Sequence, residues 1–133
     1  MDAYVITNIG WEYNDEHYYV PDGESGVPAG YPARCFVDHG KAVAYLDGLE
    51  RKEWRKVLAY DKSHMFVMHG GRTVTPRQIV VLENMGFNVE GQYKTTPPKR
   101  ELSDAEIDVL RRAFPHIRFH ELVQVPMEDT DAP

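Results

Sequence analysis

The sequence predicts an α+β domain, with a small antiparallel sheet of three or four strands and about three helices packed on one face. Residues 75–82 and 103–110 begin with the same helix-start pattern. Residues 116–125 alternate between apolar and polar side chains, as a strand with one wet face does. Strand-forming segments come first, helical segments follow, and one strand closes the chain. This order favours α+β over a wound parallel sheet, and we expect the closing strand to pair with an early one.

The early strands are predicted from aromatic and β-branched residues. Strands at residues 3–9 and 16–20 flank Asn14-Asp15, a turn-forming pair, and this arrangement indicates a β-hairpin. The Gly- and Pro-rich residues 21–32 predict a loop. A further short strand is predicted at residues 33–37. The composition does not predict the strand order.

Three helices are predicted next. Apolar residues recur near helical spacing over residues 39–58, which indicates the longest helix. Helices at residues 76–85 and 104–114 begin after Thr75 and Ser103, each of which stands three residues before Gln or Glu. That spacing is typical of a capping box, in which the hydroxyl and the third helical residue bond to each other's backbone N–H groups. Residues 59–74 carry no pattern that predicts a structure.

Alternation in the closing strand, residues 116–125, predicts which side chains face the core. Ile117, Phe119, Val123 and Val125 are expected on the inner face, with His116, Arg118, His120 and Gln124 on the wet face. Glu121 conflicts with this pattern, because its position puts a carboxylate on the core side.

Length and composition are those of one globular domain. The 133 residues, 42% hydrophobic and 27% charged, predict a single soluble domain over residues 1–126, followed by a flexible acidic tail at residues 127–133. No apolar run approaches the roughly 20 residues that span a bilayer, so no membrane association is expected. The first residues lack the basic start of a secretory signal, and the single Cys35 excludes an internal disulfide. We therefore expect a cytoplasmic protein.

The aromatic and acidic segment at residues 11–19 is the most unusual stretch of the chain. It combines four aromatic residues, three acids and one histidine. Rigid rings among polar groups are typical of recognition surfaces. We therefore expect a non-enzymatic protein-binding or regulatory module, and its contact residues are predicted to be Trp11, Tyr13, Asp15, Glu16, His17 and Tyr18.

Two alternatives follow from the same sequence. A small enzyme of unassigned class would use the carboxylates and histidine of Glu12, Asp15, Glu16 and His17 for acid-base chemistry. A nucleic-acid-binding protein would use the basic segment 72–100, although the net charge of −6 disfavours it. The bases of that segment are Arg72, Arg77, Lys94, Lys99 and Arg100.

No cofactor or metal site is expected. The glycine patterns that hold phosphates are missing from the sequence. His116 and His120 would lie roughly 13 Å apart on a strand, too far to share an ion. An uncovered strand edge would allow a homodimer by sheet extension, and the sequence neither demands nor forbids one.

Overall fold

The structure is a computed structural model, and it describes residues 1–13, 19–21, 28–29, 34–60, 73–91 and 94–127. Within these ranges the elements are, in order, β1 (Asp2–Asn8), β2 (Trp11–Tyr13), β3 (Tyr19–Pro21), β4 (Cys35–Phe36), α1 (His39–Tyr60), α2 (Pro76–Asn84), β5 (Asn88–Glu90), β6 (Lys94–Thr96), α3 (Asp104–Ala113) and β7 (His120–Pro126).

The main sheet is antiparallel, with the strand order β4-β1-β7. β1 pairs with β7 along its whole length, from Asp2 opposite Pro126 to Asn8 opposite His120. The short β4 lies on the other side of β1. The predicted α+β class and the pairing of the closing strand with an early one are both confirmed.

The predicted hairpin is wrong in its pairing. β3 pairs with β2, while β1 pairs with β4 and β7. β1 ends before Gly10, and the N–H group of Ile9 still donates to the C-terminal segment, at 2.8 Å from Phe119 O. The chain therefore leaves the main sheet near Gly10, so that residues 11–13 and not 3–9 pair with β3.

Beyond Phe119, the predicted faces of the closing strand are wrong for His120, Val123 and Val125, although Gln124 is exposed as predicted. A turn at Pro115-His116 and a bend at Phe119 precede β7, so the alternation restarts at His120. Ile117 and Phe119 are buried as predicted, but Val123 and Val125 are 38% and 41% exposed. His120 and Leu122 are the less exposed residues of the strand instead. The restart also removes the anomaly at Glu121, which is exposed and puts no carboxylate in the core.

The core lies between the three helices of the described residues. Trp54 of α1 is fully buried and is the largest side chain of this core. The other buried members come from all three helices and the segments around them: Leu58, Val74, Leu82, Met85, Phe87, Leu102, Ile107, Leu110, Phe114, Ile117 and Phe119. None of the described helices is long and apolar enough to cross a bilayer.

Both predicted capping boxes are formed. Thr75 Oγ1 accepts from the Gln78 N–H group at 3.2 Å, and Gln78 Oε1 accepts from the Thr75 N–H group at 2.9 Å. Ser103 and Glu106 make the same reciprocal pair. The Gln78 side chain also donates to Ala113 O at 2.9 Å, which joins the start of α2 to the end of α3.

Arg100 connects the second capping box to the preceding helix. Its guanidinium contacts the Glu106 carboxylate at 2.6 Å and donates to Met85 O at 2.8 Å. The hydrogen bond from Arg100, followed by the backbone hydrogen bond from Ser103, lowers the pKa of Glu106 from 4.5 to about 2.

This low pKa predicts an acid-sensitive contribution to stability. Because the pKa is lower in the folded chain, the stabilisation by Glu106 is complete above the unfolded pKa of 4.5 and is lost as the pH falls towards 2. We expect Glu106→Gln to make the free energy of unfolding less dependent on pH over this window, as measured by urea denaturation. Glu83→Gln, at an exposed position of α2, is the control and should leave the wild-type pH dependence unchanged. If the free energy of unfolding of Glu106→Gln depended on pH as steeply as that of wild type, the acid sensitivity could not be assigned to Glu106.

Candidate functional site

The predicted contact surface at residues 11–18 is only partly described. Trp11 is half-buried, its Nε1–H donates to Arg118 O at 2.8 Å, and its ring lies 6.4 Å from that of Phe119. Trp11 therefore anchors β2 to the core. Glu12 is exposed. The side chain of Tyr13 and residues Asp15, Glu16, His17 and Tyr18 lie outside the described part, so the binding surface and the acid-base cluster stay predictions.

The described bases of the basic segment are exposed, but two of them are already paired. Lys94 Nζ lies 3.7 Å from Glu90, and Arg100 contacts Glu106. Arg77 and Lys99 are exposed, and Arg72 lies outside the described residues. The nucleic-acid alternative therefore also stays a prediction. Over the described ranges, no group of three or more His, Cys, Asp or Glu residues could hold a metal ion.

The first candidate surface is the outer side of β7, the strand at the end of the described main sheet. Val123, Val125 and Met127 are 38%, 41% and 47% exposed. We call these three residues the β7 valine face. α1 packs on the opposite face of the sheet, where it contacts the side chains of His120 and Phe36. The β7 valine face is therefore an apolar surface that α1 does not cover.

The backbone of β7 also presents hydrogen-bonding groups, at the outer edge of the strand beside the β7 valine face. The N–H groups of Ile9 and Met127 donate to Phe119 O and Met1 O, both at 2.8 Å, so odd-numbered residues of the C-terminal segment bond towards β1. In an antiparallel ladder, alternate residues direct their backbone groups to opposite neighbours. The N–H and C=O groups of Leu122 and Gln124 therefore point to the outer edge.

The second candidate surface is a pocket of about 640 Å³ between α1, α3 and the start of β7. At its wall the carboxylate of Glu50 accepts from the Phe119 N–H group at 3.2 and 3.1 Å and contacts His120 Nδ1 at 2.8 Å. The side chains of Glu50 and His120 are only 4% and 10% exposed. Nδ1 of His120 is engaged by this carboxylate, so Nε2 is the ring nitrogen that the contact leaves for a ligand.

Ion pairs between α1 and α3 form another wall of this pocket. Asp108 contacts Arg51 at 2.6 Å and Arg111 at 3.1 Å, and Arg111 also contacts Asp47 at 3.0 Å. The hydrogen bond from Arg51, and then the one from Arg111, lower the pKa of the Asp108 carboxyl group. Both acids are thus engaged with arginines. The network joins α1 to α3 along this wall of the pocket.

Sequence reasoning missed Glu50 and placed His120 on the wrong face. One signal was available for Glu50. It lies four residues after Leu46 and four before Trp54, on the apolar stripe of α1 and not among the solvated charges. A carboxylate on such a stripe requires a partner, because a buried unpaired charge is costly. The partner itself, 70 residues away, could not be read from local pattern.

In comparisons with known proteins, no family model matches the chain, and no curated protein or solved structure shows significant similarity to it.

Proposed function

We propose that this chain is a cytoplasmic, non-enzymatic protein-binding module, and that its contact surface is the outer edge of β7 together with the β7 valine face. The observation that carries the proposal is the exposure of Val123, Val125 and Met127 beside backbone groups that point outwards. An exposed strand edge is a template for pairing with another strand. Side chains on the same strand then supply the apolar contact. The single Cys35, an exposed free thiol, is compatible with a reducing compartment.

The partner that best fits this edge is a second copy of the chain. An antiparallel pair of β7 strands centred on Gln124 would place the outward backbone groups of the two Gln124 residues opposite each other. Val123 of each copy would then lie opposite Val125 of the other, and such β-branched cross-strand pairs are favourable. No like charges meet in this register. Leu122 of each copy would lie opposite Pro126 of the other, where the Leu122 N–H group can donate to Pro126 O but Pro126 has no N–H group to return a bond.

Light scattering after size exclusion tests this proposal. Wild type should show twice the mass of one chain, whereas Val123→Lys and Val125→Lys should be monomers, because an edge lysine blocks strand pairing. Val80→Lys, at a position of α2 that is 59% exposed, is the matched control and should dimerise as wild type does. A wild type that is monomeric at about 1 mM, where a binding energy of about 4 kcal/mol is detectable, would contradict self-pairing.

A cross-link tests the register separately. In a Cys35→Ser background, Gln124→Cys should form an intermolecular disulfide, because paired residues of two antiparallel strands lie about 5.5 Å apart at Cα. Asn84→Cys, exposed on α2, is the control and should remain reduced under the same conditions. Equal cross-linking of both variants would indicate random collision and would oppose the Gln124-centred pair.

The hairpin surface is a second candidate for protein binding. It is supported by the antiparallel pairing of β2 with β3, which brings Tyr13 opposite Tyr19, and by the exposure of Glu12. Since Trp11 is half-buried, its loss would confuse binding with stability. A double change of Tyr13 and Tyr18 to alanine should therefore abolish capture of a partner from native extract while β7 variants retain it. Retained capture by the double variant would reject this surface.

A further inference from the structure

We propose that the pocket between α1, α3 and the start of β7 binds a small organic anion, a phosphate or carboxylate group on an apolar body. The anion would contact Arg112, Arg118 and Nε2 of His120. This site is separate from the β7 valine face. It does not depend on the protein-binding function proposed above.

Four acids and three arginines line the pocket, but three of the acids are engaged by other groups, whereas two of the arginines are not. Asp47 and Asp108 are engaged by arginines, and Glu50 by Phe119 and His120. By contrast, the structure gives the side chains of Arg112 and Arg118 no ion pair with any described residue, and both are exposed. Two guanidinium groups are therefore free to meet a ligand in the described part of the wall. Guanidinium forks match the geometry of carboxylates and phosphates.

His120 adds a fixed polar contact. Its ring is held by the buried Glu50 carboxylate, which is itself fixed by the Phe119 N–H group, so the ring orientation is set before any ligand arrives. A carboxylate that holds one imidazole nitrogen leaves the other in a defined direction. Nε2 accepts a hydrogen bond from an acidic hydroxyl when the ring is neutral and donates one when it is protonated. Either state suits an anion that carries both a hydroxyl group and a charged oxygen, as a phosphomonoester does.

The size and the apolar part of the wall indicate that the anion is attached to a larger group. A volume of about 640 Å³ is in the range of small-molecule sites and exceeds what a single inorganic ion fills. Apolar side chains line the rest of the pocket: Leu46, Pro115, Ile117 and Leu122. Glu121 is the opposing charge, an exposed acid in the same lining. It would repel an anion and attract a cation.

Binding to the full chain can be followed by amide chemical shifts, with phenyl phosphate and benzoate as the anionic probes. Benzyl alcohol is the neutral control and benzylamine the cationic one. We expect saturable shifts in residues 108–112 and 117–122 with the anions alone, and the comparison of the two anions identifies the preferred head group. The absence of saturation with both anions, or equal binding of benzylamine, would overturn the proposal.

Charge variants test the assigned contacts. Arg112→Gln and Arg118→Gln should each weaken binding by about tenfold, because a charge-assisted hydrogen bond is worth at least that factor. Glu121→Gln should strengthen anion binding. Arg77→Gln, at an exposed position of α2 outside this pocket, is the matched control and should bind as wild type does. Unchanged affinity in both Arg112→Gln and Arg118→Gln, with unchanged thermal unfolding, would refute the site.

Discussion

Trp54→Ala is expected to lower the free energy of unfolding by about 3–5 kcal/mol, the usual cost of removing a fully buried large aromatic side chain. Trp54 has no exposed surface and packs within the cluster formed by all three described helices. Its removal therefore leaves a cavity that no single helix can close. Urea denaturation measures the loss, and an unchanged slope would show that the folded state stays equally compact.

Two comparisons separate this effect from a general loss of apolar surface. Trp54→Phe keeps most of the packing volume, so its loss should be smaller than that of Trp54→Ala. Val80→Ala removes apolar atoms at a position that is 59% exposed, and it should change the free energy of unfolding by less than about 0.5 kcal/mol. A Trp54→Ala loss no larger than that of Val80→Ala would mean that this core does not hold the helices together.

The helices could be predicted from sequence because their signals are local. A capping box involves four consecutive residues, and both boxes form between the predicted partners, Thr75 with Gln78 and Ser103 with Glu106. The ends of α2 and α3 differ from prediction by one residue each. α1 runs to Tyr60, two residues beyond the predicted end.

The faces of the closing strand are harder to predict than the helices, because they depend on the residue at which the strand begins. A single bend at Phe119 moves His120 to the inner face and Val123 to the outer one. This is the general weakness of a two-residue period, in which a shift of one position exchanges the faces. Pairing partners are equally nonlocal. β1 is paired along its length with β7, more than a hundred residues away, and not with the nearby β3.

Glu50→Ala is expected to cost about 3–5 kcal/mol, the loss typical of breaking a buried pair by removing one partner. The Glu50 carboxylate is hydrogen-bonded to two groups at once, the Phe119 N–H group and Nδ1 of His120. The Glu50 side chain is only 4% exposed. After the change, both donors are buried without their acceptor. Glu50→Gln keeps one amide oxygen for one of the two donors, so a smaller loss of about 1–3 kcal/mol is expected, again by urea denaturation.

A double-mutant cycle with His120→Ala decides how much of the stability lost in Glu50→Ala comes from the contact with His120 and how much from the Phe119 N–H group. If the carboxylate and the imidazole interact directly, the double variant should lose less than the sum of the two single losses, by about 0.5–3 kcal/mol. Additive losses would contradict the pair and would mean that Glu50 acts through the Phe119 N–H group alone. Since Phe119 lies at the bend where the alternation restarts, that outcome would make Glu50 the residue that fixes the register of β7. The expected coupling instead makes it the group that orients His120 towards the pocket.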